Sequence, residues 1–185
     1  MMNKIFQIGF NRCATQSLTG FFADNGILSI HNTKHGEEGN PLANKMKANV
    51  NMERSILHGY EEYGFYSDME CSRNSLFAYA EYYEQLDKQY PDSRFILNIR
   101  SVDSWISSRA RLVKGQVIRW AKKQYNVKTK EEVFEKWREH YHTHVNNFKL
   151  YFKDRPTDLL VFDIEQDSIS KLIKFFERDI SLNPQ

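Results

Sequence analysis

The stretch Lys4–Leu18, K-I-F-Q-I-G-F-N-R-C-A-T-Q-S-L, decides the fold of this chain. An apolar run at residues 5–10 is followed by a polar loop at residues 11–14 and by an apolar helical pattern that starts at Leu18. This order predicts a strand, a tight turn and a helix start. A helix start offers unpartnered backbone N–H groups and the positive end of the helix dipole, and Arg12 adds a full charge. The stretch therefore predicts a binding loop for a phosphate- or sulfate-bearing nucleotide.

Two common phosphate-binding signatures do not fit this loop. The ATP-type loop G-x-x-x-x-G-K-[ST] fails because Ala14 stands at its second glycine and no lysine precedes Thr15. The signature C-x-x-x-x-x-R of cysteine phosphatases fails because Thr19 stands where its arginine would follow Cys13. We therefore interpret Cys13 as a loop contact residue without redox chemistry.

The composition is that of an ordinary globular protein. The 185 residues suffice for one domain, residues 1–185, with a sizeable core. A net charge of +2 gives no bulk field that would point to nucleic acid or to a membrane surface. Two cysteines form no disulfide framework, and a reducing compartment suits them. With no signal peptide or membrane span in the sequence, we expect a cytoplasmic protein.

The rest of the chain alternates strand and helix patterns. Further strands are predicted at residues 27–30, 65–68, 94–100 and 159–163. Helical patterns are predicted from Asn40-Pro41, at residues 55–63, at residues 76–90, within residues 101–112, after the capping box at residues 129–132, and at residues 169–176. The alternation predicts an α/β fold, a three-layer sandwich in which a central parallel sheet of about five strands has helices on both faces.

Two side chains that can accept a proton follow predicted strands. His31 directly follows the predicted strand at residues 27–30, and Asp68 is the last residue of the predicted strand at residues 65–68. Ligands of open α/β sheets bind at the carboxyl ends of strands, so both residues are candidates for a general base. A histidine satisfied in a loop, and an aspartate that caps the following helix, are the alternative interpretations.

A second phosphate-binding constellation follows the clearest strand, R-F-I-L-N-I-R at residues 94–100. Its nearly continuous apolar run predicts burial on both faces. Arg100 ends this strand and can hold a phosphate with two hydrogen bonds, and Ser108 follows eight positions later. If this strand lies beside the first one, both turns meet the same nucleotide.

Both constellations resemble those of sulfotransferases. The first loop is similar to their 5′-phosphosulfate loop, roughly G-x-x-[KR]-x-G-T-[TS]-[SA]-L. Matching positions are Gly9, Arg12, Thr15, Ser17 and Leu18, with Ala14 in place of a glycine and Gln16 in place of a hydroxyl residue. Residues 90–105 resemble Y-P-x-[AS]-[KR]-F-I-L-x-x-R-x-x-x-x-W, and residues 154–163 resemble the last strand of that family. The resemblance covers residues 4–176 and is weakest at residues 33–63.

The resemblance implies 3′-phosphoadenosine 5′-phosphosulfate (PAPS) as the donor, a hydroxyl or amine acceptor, adenosine 3′,5′-bisphosphate as the product, and no metal. The residues that it implies for the 5′-phosphate are Asn11, Arg12, Cys13, Ala14, Thr15, Gln16 and Ser17. Arg12 would also stabilise the charge on the leaving oxygen, and Arg100 and Ser108 would bind the 3′-phosphate. His31 or Asp68 would accept the proton of the acceptor.

Other functions remain open on the sequence. One alternative is a non-catalytic nucleotide-binding module, because 185 residues is short for a sulfotransferase. A small-molecule kinase is another, although the missing loop lysine disfavours it. His140 and His144 share a helix face at the spacing of zinc ligands, but without a third ligand we interpret them as solvated or core residues. The acceptor could be a sugar, a phenol, a lipid or another small metabolite.

Overall fold

The predicted strands form a parallel sheet in the computed structural model, which describes residues 3–34 and 41–184. In chain order the strands are β1 (Ile5–Gln7), β2 (Ser29–His31), β3 (Phe65–Ser67), β4 (Glu70–Cys71), β5 (Leu76–Phe77), β6 (Arg94–Ile99) and β7 (Leu159–Asp163). Five of them form the central sheet in the order β2-β3-β1-β6-β7, and each pairing is parallel. β4 and β5 form a separate antiparallel hairpin. The predicted α/β class with a five-stranded parallel sheet is confirmed.

Helices surround this sheet. In chain order they are α1 (Thr15–Asp24), α2 (Leu42–Asn51), α3 (Ala78–Glu81), α4 (Tyr83–Gln89), α5 (Val102–Ala110), α6 (Gln116–Tyr125), α7 (Lys130–Tyr151) and α8 (Ile169–Phe176). The capping box predicted at the start of α7 is present, since Glu132 N–H donates to Thr129 Oγ1 at 3.1 Å and Thr129 N–H donates to Glu132 Oε2 at 2.7 Å. Among the described residues, no helix combines the length and apolarity that crossing a bilayer requires.

The side chains of the strands alternate between two hydrophobic clusters, one on each face of the sheet. Phe6 and Phe95 belong to a cluster that includes residues of α2, α5 and α7. Ile5 and Ile96, one position away, belong to a second cluster with residues of α1 and α8. Burial on both faces explains why β6 reads as a continuous apolar run.

The segment between β3 and β6 departs from the helical pattern. The predicted helix at residues 76–90 is broken into α3 and α4 and is preceded by the β4–β5 hairpin. The prediction that Asp68 caps a following helix is therefore wrong, because the chain turns at Asp68 (φ 51°) directly into β4. Residues 55–63 form turns instead of a helix, since their apolar members Ile56, Leu57 and Tyr60 reach the core without regular structure. Asn40, the predicted start of α2, lies outside the described residues.

The aromatic residues near β3 belong to the core. Tyr66 is buried, and its hydroxyl lies within hydrogen-bond distance of two carbonyl oxygens, those of Tyr60 at 2.7 Å and Tyr63 at 2.9 Å. This cluster therefore stabilises the turns that lead into β3.

Candidate functional site

The loop between β1 and α1 lies at the carboxyl edge of the sheet, where β1 is flanked by β3 and β6. Two of its residues, Arg12 (φ 65°) and Ala14 (φ 59°), have left-handed backbone conformations. Such alternation turns successive backbone N–H groups toward one side. Gly9 has a packing role, because a Cβ atom there would lie 2.1 Å from Asn98 Oδ1 in β6.

Backbone donors of the loop lack partners at the start of α1. The N–H groups of Thr15, Gln16 and Ser17 lie in the first helical turn, where the helix supplies no acceptor. No side chain in the described ranges caps this helix. By contrast, Cys13 N–H donates to Phe10 O at 3.3 Å and Leu18 N–H donates to Ala14 O at 3.0 Å, so the free donors of the first turn of α1 lie between these two satisfied groups.

A cavity of about 370 Å³ opens in front of these donors. The loop residues that line it are Asn11, Arg12, Ala14, Thr15, Gln16 and Ser17. Four further predicted site residues line it from other strand ends and from α5, namely His31, Asp68, Arg100 and Ser108. Cys13 is the exception: its side chain is buried, and burial raises the pKa of its thiol to about 12.

The two predicted turns meet at this cavity. Arg12 Nε donates to Ser108 Oγ at 3.0 Å, and Arg100 Nη1 donates to the carbonyl oxygen of Arg12 at 3.3 Å. The contact follows from the pairing of β6 with β1, which places their carboxyl ends side by side. Arg100 also donates through Nε and Nη2 to Glu165 Oε1, at 3.1 and 2.8 Å, so a carboxylate holds this guanidinium beside the loop.

His31 and Asp68 face each other across the same cavity. His31 Nε2 lies 3.0 Å from Thr15 Oγ1 and 3.9 Å from Asp68 Oδ2. Burial lowers the pKa of His31 below its usual value, so the imidazole is neutral at pH 7. Burial, followed by the nearby charge of Glu70, raises the pKa of Asp68 to about 7. Asp68 Oδ1 is buried and has no hydrogen-bond partner within the described residues.

A buried ion pair, which the sequence did not reveal, holds the loop in place through a contact with Asn11. Arg109 Nη2 donates to Glu70 Oε1 at 2.7 Å, with both side chains almost fully buried, and Arg109 Nη1 donates to Asn11 Oδ1 at 2.6 Å. On α5, Arg109 follows Ser108 and looks like a surface residue; its partner lies 39 positions away. No local signal could have paired them.

Two buried amides, also missed, connect the strand ends beneath the loop. Gln7 Nε2 donates to Gly9 O at 2.8 Å, while Gln7 Oε1 accepts from Asp68 N–H at 3.1 Å. Asn98 Nδ2 donates to the carbonyl oxygen of Cys13. A signal existed here, because a polar residue inside an otherwise apolar strand needs a buried partner.

The histidine pair on α7 lies in the core. His144 Nε2 donates to Ile8 O at 2.7 Å, and burial lowers its pKa to about 3. Burial likewise lowers the pKa of His140 to about 4. In the part of the chain that the structure describes, no three His, Cys, Asp or Glu side chains are grouped as metal ligands.

Comparison with known proteins agrees with this geometry. Residues 4–184 match the family model described as "Sulfotransferase domain". No curated protein matches the chain. Because the match spans nearly the whole sequence, the chain belongs to the sulfotransferase domain family, whose general activity is sulfotransfer and whose members generally use PAPS as the donor.

Proposed function

We propose that this member of the sulfotransferase domain family transfers a sulfuryl group from PAPS to a hydroxyl or amine of an acceptor. One observation carries the proposal: a turn with unpaired backbone N–H groups and a second turn that ends in Arg100 meet at one cavity, through the contacts of Arg12 with Ser108 and of Arg100 with the Arg12 carbonyl. A nucleotide with phosphates at both its 5′ and 3′ positions can contact both turns. The free N–H groups at residues 15–17 and the Arg12 guanidinium provide positive charge for it, and the Arg100 guanidinium, which Glu165 holds beside the loop, lines the same cavity.

In the proposed reaction, the acceptor oxygen forms a bond to sulfur while the bond from sulfur to the 5′-phosphate oxygen breaks. The electron pair of the broken bond stays on that phosphate oxygen, and the product is adenosine 3′,5′-bisphosphate. Arg12 stabilises this developing charge by electrostatics alone, since a guanidinium does not give up its proton. We expect no metal requirement, because the transferred group carries less charge than a terminal phosphate.

The proton of the acceptor goes to His31 or Asp68. Thr15 has a single hydroxyl proton, so it can donate to His31 Nε2 or to a phosphate oxygen, but not to both. Phosphate binding would thus release the Nε2 lone pair. Asp68 offers a buried oxygen without a donor and a pKa near 7, which suits a base at neutral pH.

Arg100 and Ser108 serve as the 3′-phosphate site in this proposal. Titration calorimetry with adenosine 3′,5′-bisphosphate, AMP and ATP tests it directly. We expect the bisphosphate to bind at least about tenfold more tightly than AMP, since a charged phosphate contact contributes about 1.5–3 kcal/mol. Equal affinity for AMP and the bisphosphate, or a preference for ATP, would refute it.

An assay for bisphosphate release from PAPS in the presence of mixed hydroxyl acceptors separates an enzyme from a binding module. A non-catalytic module would bind adenosine 3′,5′-bisphosphate but would form none of it from PAPS.

A further inference from the structure

The small net charge conceals a strong separation of charge along the chain. The basic segment, residues 104–130, contains eight of the 26 lysine and arginine residues and none of the 24 acidic residues. The rest of the chain is therefore acidic. This segment comprises the end of α5, the turn at residues 112–115, α6 and the start of α7.

Most of this positive charge is at the surface. Arg109 is buried with Glu70, whereas the other seven side chains are exposed or half-buried. Those seven are Arg111, Lys114, Arg119, Lys122, Lys123, Lys128 and Lys130. Within the described ranges, none of the seven forms an ion pair with a carboxylate. Unpaired surface charge of one sign attracts ligands of the opposite sign.

A concave site lies on the outer face of α6. We call it the Trp120 cavity; its volume is about 440 Å³, and it is lined by Arg73, Asn74, Ser75, Trp120, Lys123 and Gln124. It combines a half-buried indole, two cationic groups and three groups that form neutral hydrogen bonds. The indole, the charges and the hydrogen-bonding groups thus line one cavity.

The Trp120 cavity is mechanically connected to the candidate active site. Asp68 and Arg73 are five residues apart, so their Cα atoms are at most about 18 Å apart. Ser72 Oγ donates to Glu70 Oε1, and Glu70 pairs with Arg109, which holds Asn11 of the loop. Because the Cα atoms of Asp68 and Arg73 are within about 18 Å of each other, a ligand of several sugar rings is long enough to contact both places.

We infer that the acceptor is an acidic oligosaccharide, held in the Trp120 cavity while one of its hydroxyl groups lies at Asp68. The inference rests on the proposed sulfotransfer. The electron-rich face of an indole packs against the C–H face of a sugar ring. Arg73 and Lys123 pair with ring carboxylates, and the amides of Asn74 and Gln124 bond ring hydroxyl groups.

An anionic membrane fits this surface less well. A helix that lies on a membrane needs an exposed apolar face. Val117 and Ala121, apolar residues of α6, are buried in the core instead. Ile118 and Trp120 are half-buried and pack against the same cluster, so the exposed side chains of α6 are polar or charged.

The test compares a hexasaccharide of alternating glucuronic acid and N-acetylglucosamine with a neutral hexasaccharide of N-acetylglucosamine. Sulfation rates with PAPS, and binding followed by tryptophan fluorescence, are measured for the intact protein and for Arg73→Gln/Lys123→Gln. A matched variant, Lys149→Gln/Lys174→Gln, removes two exposed charges outside the basic segment. Calorimetry with adenosine 3′,5′-bisphosphate is run on every sample.

We expect the acidic hexasaccharide to be the better acceptor. Its KM should rise roughly tenfold or more in Arg73→Gln/Lys123→Gln and stay unchanged in the matched variant. The dependence of Kd on salt concentration should become weaker when the two contacting charges are removed. Binding of the bisphosphate should be the same in all three proteins.

Equal use of the two hexasaccharides, or equal effects of the two double variants, would overturn the inference while the proposed sulfotransfer stands. If the intact protein does not bind adenosine 3′,5′-bisphosphate, the proposed function itself is refuted. If the charge changes weaken binding to anionic vesicles or to single-stranded oligonucleotides but not to the acidic hexasaccharide, the surface serves a different partner and the inference is wrong.

Discussion

The two edges of the central sheet differ in how completely their charged side chains are paired. At the amino edge, Arg94 donates to Asp158 Oδ1 at 2.9 Å and to Asp179 Oδ2 at 2.7 Å. At the carboxyl edge, Arg100 is paired with Glu165, but Arg12 contacts a hydroxyl, and Asp68 keeps an oxygen without a partner among the described residues. Both edges have cavities, of about 240 and 370 Å³, so a cavity alone does not distinguish them.

We interpret this difference as a division between an edge built for stability and an edge that binds a ligand. At the amino edge, the ion pairs of Arg94 with Asp158 and Asp179 connect β6 to the segments around it. Leaving a carboxylate oxygen and helix donors unsatisfied costs stability, and such groups cluster where a ligand completes the arrangement. The predictions below test this contrast, from the largest effect to the smallest.

Replacing the buried carboxylate should separate function from stability most clearly. If Asp68 is the base, Asp68→Asn should lower kcat by about 10²- to 10⁴-fold. Because burial raises the folded-state pKa of this carboxyl, its ionisation opposes folding, and stability is lost as the pH rises from about 4, where the unfolded group titrates, to about 7. Asp68→Asn should therefore raise the free energy of unfolding at pH 8, measured in urea.

The pH profile of the unmodified protein identifies the base. With Asp68 as the base, kcat/KM should rise through pH 7 and level off above it. With His31 as the base, the rise should lie below pH 6.5, since burial lowers that pKa. A profile flat from pH 6.5 to 8 would exclude Asp68.

The guanidinium of the loop is expected to matter more for turnover than for binding. Arg12→Ala should remove about 3 kcal/mol of transition-state stabilisation and so lower kcat roughly 100-fold or more. The loss in affinity for the bisphosphate should be smaller. Arg12→Lys is the matched variant, which keeps the charge and should recover much of the rate. Unchanged turnover in Arg12→Ala would contradict its role at the leaving oxygen.

The second turn should affect nucleotide selectivity. Arg100→Ala should weaken binding of adenosine 3′,5′-bisphosphate about tenfold or more and leave the affinity for AMP nearly unchanged, as measured by calorimetry. Equal losses for the two nucleotides would mean that Arg100 supports the loop through the Arg12 carbonyl and does not read the 3′-phosphate.

The amino edge supplies the opposite control. Arg94→Ala should lower the free energy of unfolding by about 1 kcal/mol, because it breaks contacts with Asp158 and Asp179. Its kcat and nucleotide affinity should match those of the intact protein. A large loss of turnover would show that the two edges are not independent.

The smallest effect is expected at Ala14, where a left-handed residue carries a Cβ atom (φ 59°). Ala14→Gly removes a cost of about 1 kcal/mol in the folded loop but makes the unfolded chain more flexible. We expect a net gain in unfolding free energy of less than about 1 kcal/mol in urea titration, with nucleotide binding retained. A loss of stability would show that the added flexibility of the unfolded chain outweighs the strain removed from the loop.

Much of the site was predictable because it follows strand ends. His31, Asp68 and Arg100 each come at the end of an apolar run, and parallel strands bring such positions to one edge. The β4–β5 hairpin was not predictable, because Leu76 and Tyr79 have helical spacing although the chain first pairs as strands. Glu165 was missed because its contact with Arg100 spans 65 residues.

The sequence by itself determined the parallel α/β class, the loop between β1 and α1, and the residue types at the strand ends, because these depend on local periodicity and on short spacings. The tertiary structure alone decided that β6 lies beside β1, that Arg109 is buried against Glu70, and that the basic segment borders a cavity with Trp120. Strand order and buried pairing depend on the packing of segments far apart in the chain, and no local pattern encodes which distant side chain fills a given contact.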